Sequence, residues 1–298
     1  MIPTLDWAEM ARAPDAFARA LGAACRGPGF FLLTGHGIAP GLIAETFAAG
    51  DRFFALPEAE KAPLGIEKTA HNRGWVADRV EMLDPASGQT DRKEAFNIGL
   101  DLSPDDARVR AGEPFRGVNV WPDLPGFRAT TLRYFEAAWA LGVALHRPIA
   151  RDLGLADDWF AQHFTAPLAT LRLLSYPAGG AEMGAGAHTD YGSLTLLMTD
   201  GVAALQVRPR DGDWIDVPQV PDAFVVNIGD CLMRWTNDVY VSTPHRVLAP
   251  RRRRRSLAFF LDPNPDSVIE AVPGTGVPRY PPVTGAAYLQ SRLAPTYQ

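Results

Sequence analysis

The stretch H-T-D-Y-G-S-L-T-L-L, residues 188–197, sets a histidine and an aspartate two positions apart at the start of an apolar run. Residues i and i+2 of a strand project from one face, so His188 and Asp190 can reach the same metal ion. His245 lies 55 residues beyond Asp190 and must come from a neighbouring strand. Two imidazoles and one carboxylate leave coordination positions open, whereas a structural zinc site is closed. The pattern therefore predicts an iron site.

A run of five arginines at 251–255 continues into the apolar segment L-A-F-F. Arg254 lies nine residues after His245, and Arg254 and Ser256 share one face of the predicted strand. A guanidinium binds a carboxylate through two parallel hydrogen bonds, and a hydroxyl adds one more donor. The pair suits the distal carboxylate of 2-oxoglutarate, whose keto-acid end could chelate the open face of the iron. We interpret the other arginines of the run as solvated.

Beyond these two motifs, the chain resembles the isopenicillin N synthase-like 2-oxoglutarate/Fe(II)-dependent dioxygenases over nearly its whole length. The segments that carry the resemblance, besides residues 188–197, are I-P-T-L-D-W at 2–7, G-F-F-L-L-T-G-H-G-I at 29–38, D-R-K-E-A-F-N-I-G at 91–99, L-R-L-L-S-Y-P at 171–177, V-N-I-G-D at 226–230, W-T-N-D-V-Y-V-S-T-P-H-R-V at 235–247 and R-R-S-L-A-F-F at 254–260.

The resemblance implies a site and a reaction. The implied iron ligands are His188, Asp190 and His245. The implied ligands of 2-oxoglutarate are Arg254, Ser256 and Tyr176. The cofactor and cosubstrates would be Fe(II), 2-oxoglutarate and O2, and a small-molecule substrate would be hydroxylated or otherwise oxidised with release of succinate and CO2. No catalytic residue beyond the metal ligands is required.

Two positions depart from the family pattern. Many plant relatives carry Asn two positions before the tyrosine, touching the keto-acid end of the cosubstrate, and this chain has Leu174 there. That contact is not expected here. Asp238 follows W-T-N where the family usually has Gly, and we expect little effect because Asp tolerates turn geometry.

For the substrate pocket, analogy with the family places the loop 71–96 and the start of the H-T-D-Y strand near its mouth. The candidate lining residues are Arg73, Trp75, Phe96, Arg172 and Tyr191. Packing would explain each of them equally well. The two arginines suggest a substrate with an anionic or amino-acid-like group.

Hydrophobic periodicity predicts helices from Pro14 to the Gly27-Pro28-Gly29 stop, from about Pro40 to Phe54 and from about Phe127 to Leu153. Short strands are predicted at 170–176, 194–199, 204–208, 214–217, 224–228, 240–247 and 254–261. Many short strands around a metal favour an α+β fold with a mainly β core: a double-stranded β-helix, or jelly roll, flanked by helices. We expect a single domain, 1–298, with a mixed α/β N-terminal region at 1–125, the core at 168–262 and a C-terminal wrap at 263–298. The Pro-rich part of this wrap, 263–282, is expected to be a surface segment, and a short helix should follow near 286–292.

The composition of the chain limits which binding partners and which cellular location are expected. The net charge of -5 offers no general attraction to nucleic acid or anionic membranes, so neither is expected as a partner. Two cysteines are too few for a disulfide framework, and the first residues lack a signal-peptide pattern, which favours a cytoplasmic protein. No apolar stretch is long enough to suggest a membrane span. We expect a monomer or a weak homodimer.

Three other interpretations remain open at this stage. The chain could be an oxidase of the same family that does not use 2-oxoglutarate, or a member that forms ethylene from it. It could be a jelly-roll protein without redox chemistry that binds zinc or manganese, but this does not account for Arg254 and Ser256. It could also be a pseudoenzyme that acts as an interaction protein, although no predicted metal ligand has been lost.

Overall fold

The computed structural model describes residues 1–69, 71–180, 182–210 and 212–293. Within those ranges the α-helices are α1 (Glu9–Arg12), α2 (Pro14–Arg26), α3 (Pro40–Phe54), α4 (Glu58–Lys61), α5 (Ala107–Arg110), α6 (Phe127–Asp152), α7 (Asp230–Trp235) and α8 (Gly285–Leu293). Short 3-10 turns occur at Ala62–Leu64, Ile66–Lys68, Pro85–Ser87 and Ala161–Phe164. Both α2 and α3 begin with proline, whose fixed φ suits the first helical position.

The strands are β1 (Thr4–Asp6), β2 (Phe30–Thr34), β3 (Gly74–Val76), β4 (Glu94–Gly99), β5 (Thr170–Tyr176), β6 (Ala185–His188), β7 (Leu194–Thr199), β8 (Leu205–Val207), β9 (Ile215–Asp216), β10 (Phe224–Ile228), β11 (His245–Val247), β12 (Arg254–Leu261), β13 (Val268–Ile269) and β14 (Val283–Thr284). Eight form a large sheet in the order β1-β2-β10-β7-β12-β5-β4-β3, and four form a smaller one in the order β6-β11-β8-β9. The β1–β2 pair is parallel and the other pairs of neighbouring strands are antiparallel.

Both faces of the large sheet are buried, so its side chains divide the core in two. On β12, Leu257, Phe259 and Leu261 pack against the helices. The alternate residues face the smaller sheet, where Ala258 belongs to a second apolar cluster. The same alternation holds on β5, because Leu171 and Leu173 lie on the helix side, whereas Arg172 and Leu174 face the smaller sheet. The space between the sheets is the place for a site.

Helix α6 covers the outer face of the large sheet. Its buried residues recur every three or four positions, which is the periodicity that predicted the helix. Gly142 allows close approach to the sheet, since a Cβ at this position would lie 2.7 Å from a methyl carbon of Leu261. Helix α6 therefore packs directly against the outward-facing side chains of β12.

The predicted jelly-roll core with flanking helices is confirmed, and most predicted strands match within one residue. Two expectations need correction. The strand predicted at 240–247 forms only as β11, because the N–H groups of Tyr240 and Val241 donate to Oγ1 of Thr236 after α7 and to the carbonyl of Cys25 in α2, and Pro244 has no N–H to donate. The C-terminal wrap is more than a surface segment, since Ile269 in β13 is fully buried. Residues 294–298 of that wrap lie outside the described residues.

Strands from residues 4–99 and from 170–261 share one sheet. For that reason we propose that the chain is one domain. Among the helices that the structure describes, none combines the length and the apolar character needed to cross a membrane.

Candidate metal centre and substrate cavity

The two histidines of the predicted triad are brought together by strand pairing. His188 ends β6, and it lies directly opposite His245, which begins the antiparallel neighbour β11. Their ring centroids are 4.3 Å apart. Each Nδ1 faces a backbone carbonyl oxygen, that of Gly186 at 2.7 Å and that of Thr243 at 3.2 Å. These contacts leave both Nε2 atoms directed towards the same space.

Asp190 completes the triad from a loop, not from the strand that the sequence pattern suggested. Strand β6 ends at His188, and Asp190 lies two residues beyond that end. Its Oδ1 is 3.8 Å from Nε2 of His188 and 3.6 Å from Nε2 of His245. The three ligand atoms all lie within 4.8 Å of one another, a spacing that one metal ion can bridge.

The remaining oxygen of Asp190 is held from the opposite side. Oδ2 accepts hydrogen bonds from Oγ1 of Thr195 at 2.6 Å and from Nδ2 of Asn227 at 2.7 Å. Burial alone would raise the pKa of Asp190, but the two imidazoles and these hydrogen bonds hold it below its usual value. Burial, with a further contribution from His245, holds the pKa of His188 well below its usual value. A carboxylate and a neutral imidazole are the forms that bind a metal ion.

The loop that carries Asp190 rests on the start of α7. The backbone N–H of Asp230 donates to the carbonyl of Asp190 at 2.8 Å, and that of Gly229 donates to Ser193 at 3.0 Å. A Cβ at Gly229 would lie 2.1 Å from the carbonyl oxygen of Gly192, so only glycine allows this approach. The V-N-I-G-D segment therefore positions Asp190, the predicted carboxylate ligand.

The pair predicted to bind a carboxylate lies in the same region. Arg254 and Ser256 are each 1% exposed, and they are on the face of β12 that points between the sheets. The guanidinium carbon of Arg254 is 4.9 Å from the ring centroid of Tyr176, the residue directly opposite it on β5. Nη1 of Arg254 and Oγ of Ser256 have no hydrogen-bond partner among the described residues. Buried donors of this kind are costly unless a ligand satisfies them.

The neighbouring arginines point the other way, as strand alternation predicted. Arg255 binds Oδ2 of Asp51 at 2.6 Å and Oδ2 of Asp200 at 3.2 Å. Arg253 binds Oδ1 of Asp51 at 2.9 Å. Both of these charges are neutralised on the outer face, so Arg254 is the member of this trio directed inwards.

A cavity of about 170 Å³ contains the triad and extends from Tyr176 and Arg254 towards the far end of β12. Of the candidate substrate-binding residues, Arg73, Arg172 and Tyr191 line it. Leu174, which replaces the Asn of many plant relatives, also lines it. Asp238 adopts a φ of +66°, so the turn after W-T-N does use the left-handed conformation expected there.

Trp75 and Phe96 are not among the residues that line the cavity, which corrects the expectation that they do. They pair across β3 and β4, and both point to the helix side of the sheet. Phe96 is fully buried against Phe53, with ring centroids 4.5 Å apart. The indole N–H of Trp75 donates to Glu94 at 3.0 Å. Aromatic packing against α3 and α6 explains Phe96, and contacts with Lys61 and Glu94 hold Trp75.

Arg172 belongs to a buried ion-pair network in the cavity wall. Its Nη2 is 2.6 Å from Oε2 of Glu81, and the Lys93 ammonium is 3.3 Å from the same oxygen. Lys93 is also 2.6 Å from Asp91. Burial alone would raise the pKa of Glu81, but Arg172 and Lys93 lower it to about 2. A charged carboxylate therefore engages Arg172 at neutral pH.

Comparison with known proteins decides the family. Residues 2–124 match the model of the N-terminal region of the non-haem dioxygenase in morphine synthesis, and residues 160–263 match the 2OG-Fe(II) oxygenase superfamily. A 2-oxoglutarate-Fe(II) type oxidoreductase of Emericella nidulans is 36% identical over 87% of this chain and 79% of its own. The chain belongs to the 2OG-Fe(II) oxygenase superfamily.

Other relatives carry different substrate names. A homoarginine-6-hydroxylase of Oryza sativa is 36% identical, over 84% of this chain and 78% of its own. The crystal structure of a full-length Neurospora crassa protein in complex with alpha-KG and thymine superposes with a TM-score of 0.86 at 32% identity, covering 99% of this chain and 96% of that one. This chain is accordingly an Fe(II) oxygenase that uses 2-oxoglutarate and O2.

Several residues of this oxygenase site were not recognised as site residues from the sequence. Thr195 and Asn227 hold Asp190, Lys93 and Glu81 organise the wall, and Asp262 lines the cavity. Thr195 and Asn227 are isolated polar residues inside otherwise apolar strands, and this is the signal that could have revealed them. Asp262 continues the inward phase of β12 after Phe260.

Proposed function

We propose that His188, Asp190 and His245 bind Fe(II) through Nε2, Oδ1 and Nε2, and that Arg254 and Ser256 bind the distal carboxylate of 2-oxoglutarate. The observation that carries the proposal is a pair of buried donors without a partner among the described residues, Nη1 of Arg254, which lines the cavity that contains the triad, and Oγ of Ser256, two residues further on the same strand face. A dicarboxylate that also reaches the triad would satisfy them. A jelly-roll protein without redox chemistry would leave them unexplained.

The residues around the triad have distinct tasks in this proposal. Thr195 and Asn227 orient the carboxylate, and the backbone carbonyls of Gly186 and Thr243 orient the two imidazoles. Tyr176 supports the Arg254 guanidinium from its ring face. Leu174 lies opposite Ser256 and presents an apolar surface that helps to exclude water.

When bound, Fe(II) with 2-oxoglutarate and O2 supplies the oxidising chemistry, which converts 2-oxoglutarate to succinate and CO2. The protein provides ligand geometry, a closed pocket and orientation of the substrate. We propose hydroxylation, or a related oxidation, of a small molecule with an anionic or amino-acid-like group. Arg73 in the cavity wall and the relative named for homoarginine support this substrate class. We further propose a cytoplasmic location, in keeping with the free thiols of Cys25 and Cys231.

The test uses the protein with Fe(II) in the absence of oxygen. Addition of 2-oxoglutarate should produce the weak visible charge-transfer band of a chelated 2-oxo acid, and succinate should not. Admission of O2 should then release succinate and CO2 in equal amounts. Ethylene as a major product would favour the ethylene-forming alternative. Absence of the band at saturating 2-oxoglutarate, together with O2 consumption that does not need it, would favour the oxidase.

A further inference from the structure

Arg73 lines the cavity, and no carboxylate among the described residues forms an ion pair with it. The residue is 4% exposed. Its Nη1 and Nη2 reach only the backbone carbonyls of Asn72 at 3.3 Å and Phe115 at 3.5 Å, and Nε has no partner among the described residues. Burial, with repulsion from Arg116, lowers the pKa of Arg73 to about 10, so it remains charged at neutral pH. A buried guanidinium in this state is costly unless a ligand supplies the negative charge.

Asp262 places an acidic side chain elsewhere in the same cavity. It is 6% exposed, and neither of its oxygens has a hydrogen bond or ion pair with any residue that the structure describes. Burial, and then the charge of Asp190, raise its pKa to about 7. The side chain lies against the loop that carries Asp190, because a Cβ added at Gly192 of that loop would lie only 3.1 Å from Oδ1 of Asp262. This carboxyl group also lacks a counter-charge among the residues that the structure describes.

The two groups are too far apart to serve each other. The Arg73 guanidinium lies against Gly99, where an added Cβ would collide with it. Gly99 pairs with Thr170 across β4 and β5, and Thr170 pairs with Phe260 across β5 and β12. Two strand spacings separate Gly99 from Phe260 by about 10 Å, and Asp262 lies two residues beyond Phe260. The two charges therefore lie at separate places in the wall.

The surface near these charges is largely apolar. It is formed by Leu168, Phe260, Leu289 and Leu293, which line the same cavity. These apolar side chains suit a hydrocarbon spacer, and Thr170, which pairs with both Gly99 and Phe260, adds a hydroxyl group to the same wall.

We propose that Arg73 and Asp262 determine substrate specificity by selecting an elongated dipolar molecule. Arg73 binds its anionic group, and Asp262 binds an amino, amidino or guanidino group several bonds away. The proposal rests on the function proposed above and narrows its substrate class. The anionic group at Arg73 and the cationic group at Asp262 each replace a missing counter-charge, which makes recognition depend on both ends.

The experiment uses the full chain with Fe(II) and 2-oxoglutarate. Without oxygen, binding is measured as a change in the charge-transfer band; with oxygen, it is measured as stimulated succinate release. The probes are ω-amino carboxylic acids of increasing length, L-lysine and L-arginine. For each length, the matched probes are the carboxylic acid without the amine, the amine without the acid and the dicarboxylic acid. Dipolar probes of intermediate length should respond at concentrations at least about tenfold lower than any matched probe, the worth of one charge-assisted hydrogen bond.

Single variants test which end of the probe each of the two residues binds. Asp262→Asn should raise the half-saturating concentration of the best dipolar probe about tenfold or more and leave that of its amine-free counterpart unchanged. Arg73→Gln should do the converse, weakening acids and leaving the amine without an acid unchanged. Exposed Asp266→Asn and Arg110→Gln are the matched controls, expected within about twofold. Asp262→Asn should keep or raise the melting temperature, because it removes a buried unpaired charge.

Equal responses to dipolar and amine-free probes would overturn the proposal. An unchanged half-saturating concentration in Asp262→Asn, or a panel in which no dipolar probe responds, would do the same. Failure of the proposed function is distinguishable, since it would abolish the 2-oxoglutarate band of the wild-type protein before any probe is added. A normal band with no selectivity for dipolar probes contradicts only the role of Arg73 and Asp262.

Discussion

Replacing Arg254 by alanine tests the cosubstrate site most directly. Arg254 is 1% exposed, its Nη1 has no partner among the described residues, and its Nε reaches only the carbonyl of Val202 at 3.3 Å. Loss of a charge-assisted, bidentate contact in a water-poor pocket costs about 2–5 kcal/mol. This free energy corresponds to a rise of about 30-fold to several-thousand-fold in the apparent constant for 2-oxoglutarate.

The assay is an anaerobic titration of the Fe(II) protein with 2-oxoglutarate, followed by the charge-transfer band. Arg254→Lys should recover only part of the affinity, because an ammonium cannot form two parallel hydrogen bonds. The matched control is Arg255→Ala on the next residue of the strand. The Arg255 side chain is 34% exposed and is paired with Asp51 and Asp200. Its loss should leave the constant within about threefold.

Stability distinguishes a binding role from a structural one. Arg254 has no acidic partner among the described residues, so Arg254→Ala should not lower the melting temperature in the way that loss of a buried ion pair would. A severe effect of Arg255→Ala on the 2-oxoglutarate constant, with a mild effect of Arg254→Ala, would refute the assignment and with it the pairing with Ser256.

Three further predictions concern the metal site and the core. Alanine at any one of the triad positions should abolish Fe(II) binding and turnover and leave the far-ultraviolet circular dichroism unchanged; tight Fe(II) binding by any of the three would contradict the triad of His188, Asp190 and His245. Asn227→Ala should weaken Fe(II) binding about 10- to 100-fold in calorimetry, because it frees Oδ2 of Asp190, and an unchanged Kd would count against this. Burial lowers the pKa of His146 to about 4, so below its ordinary pKa of 6.5 only the unfolded chain gains the proton. Between pH 6.5 and 4 this residue should cost about 1.4 kcal/mol of stability per pH unit, and above pH 6.5 nothing. Urea unfolding of His146→Gln should lack this slope and that of the half-buried His36→Gln should keep it; equal slopes would argue against the linkage.

Much of the site could be predicted from the sequence, because it depends on local periodicity. Residues two apart in a strand share a face, and this alone separated Arg254 and Ser256 from Arg255. The H-x-D spacing and the distal histidine likewise predicted the metal site, and His188 and His245 do lie opposite each other in paired strands. The first inference needed only the period of a strand, whereas the second also needed a neighbouring strand to supply His245.

Other features depended on contacts between distant segments. Trp75 and Phe96 could face either the helices or the cavity, because both faces of the large sheet are buried and an apolar pattern does not distinguish them. Asp190 reaches the metal position from a loop, held by Thr195 and Asn227 from two other strands. No spacing along the chain reports such a contact.

The charged residues of the cavity also separate what the sequence determines from what only the tertiary structure decides. Sequence alone determined that arginines occur near the predicted mouth, since residue identity and strand phase are local properties. Only the tertiary structure decided that Arg172 is engaged by Glu81, whereas Arg73 and Asp262 lack a counter-charge among the described residues. The physical reason is that an ion pair is defined by distance in space, and the partners here come from segments tens of residues apart in the chain, brought together only when the sheet forms.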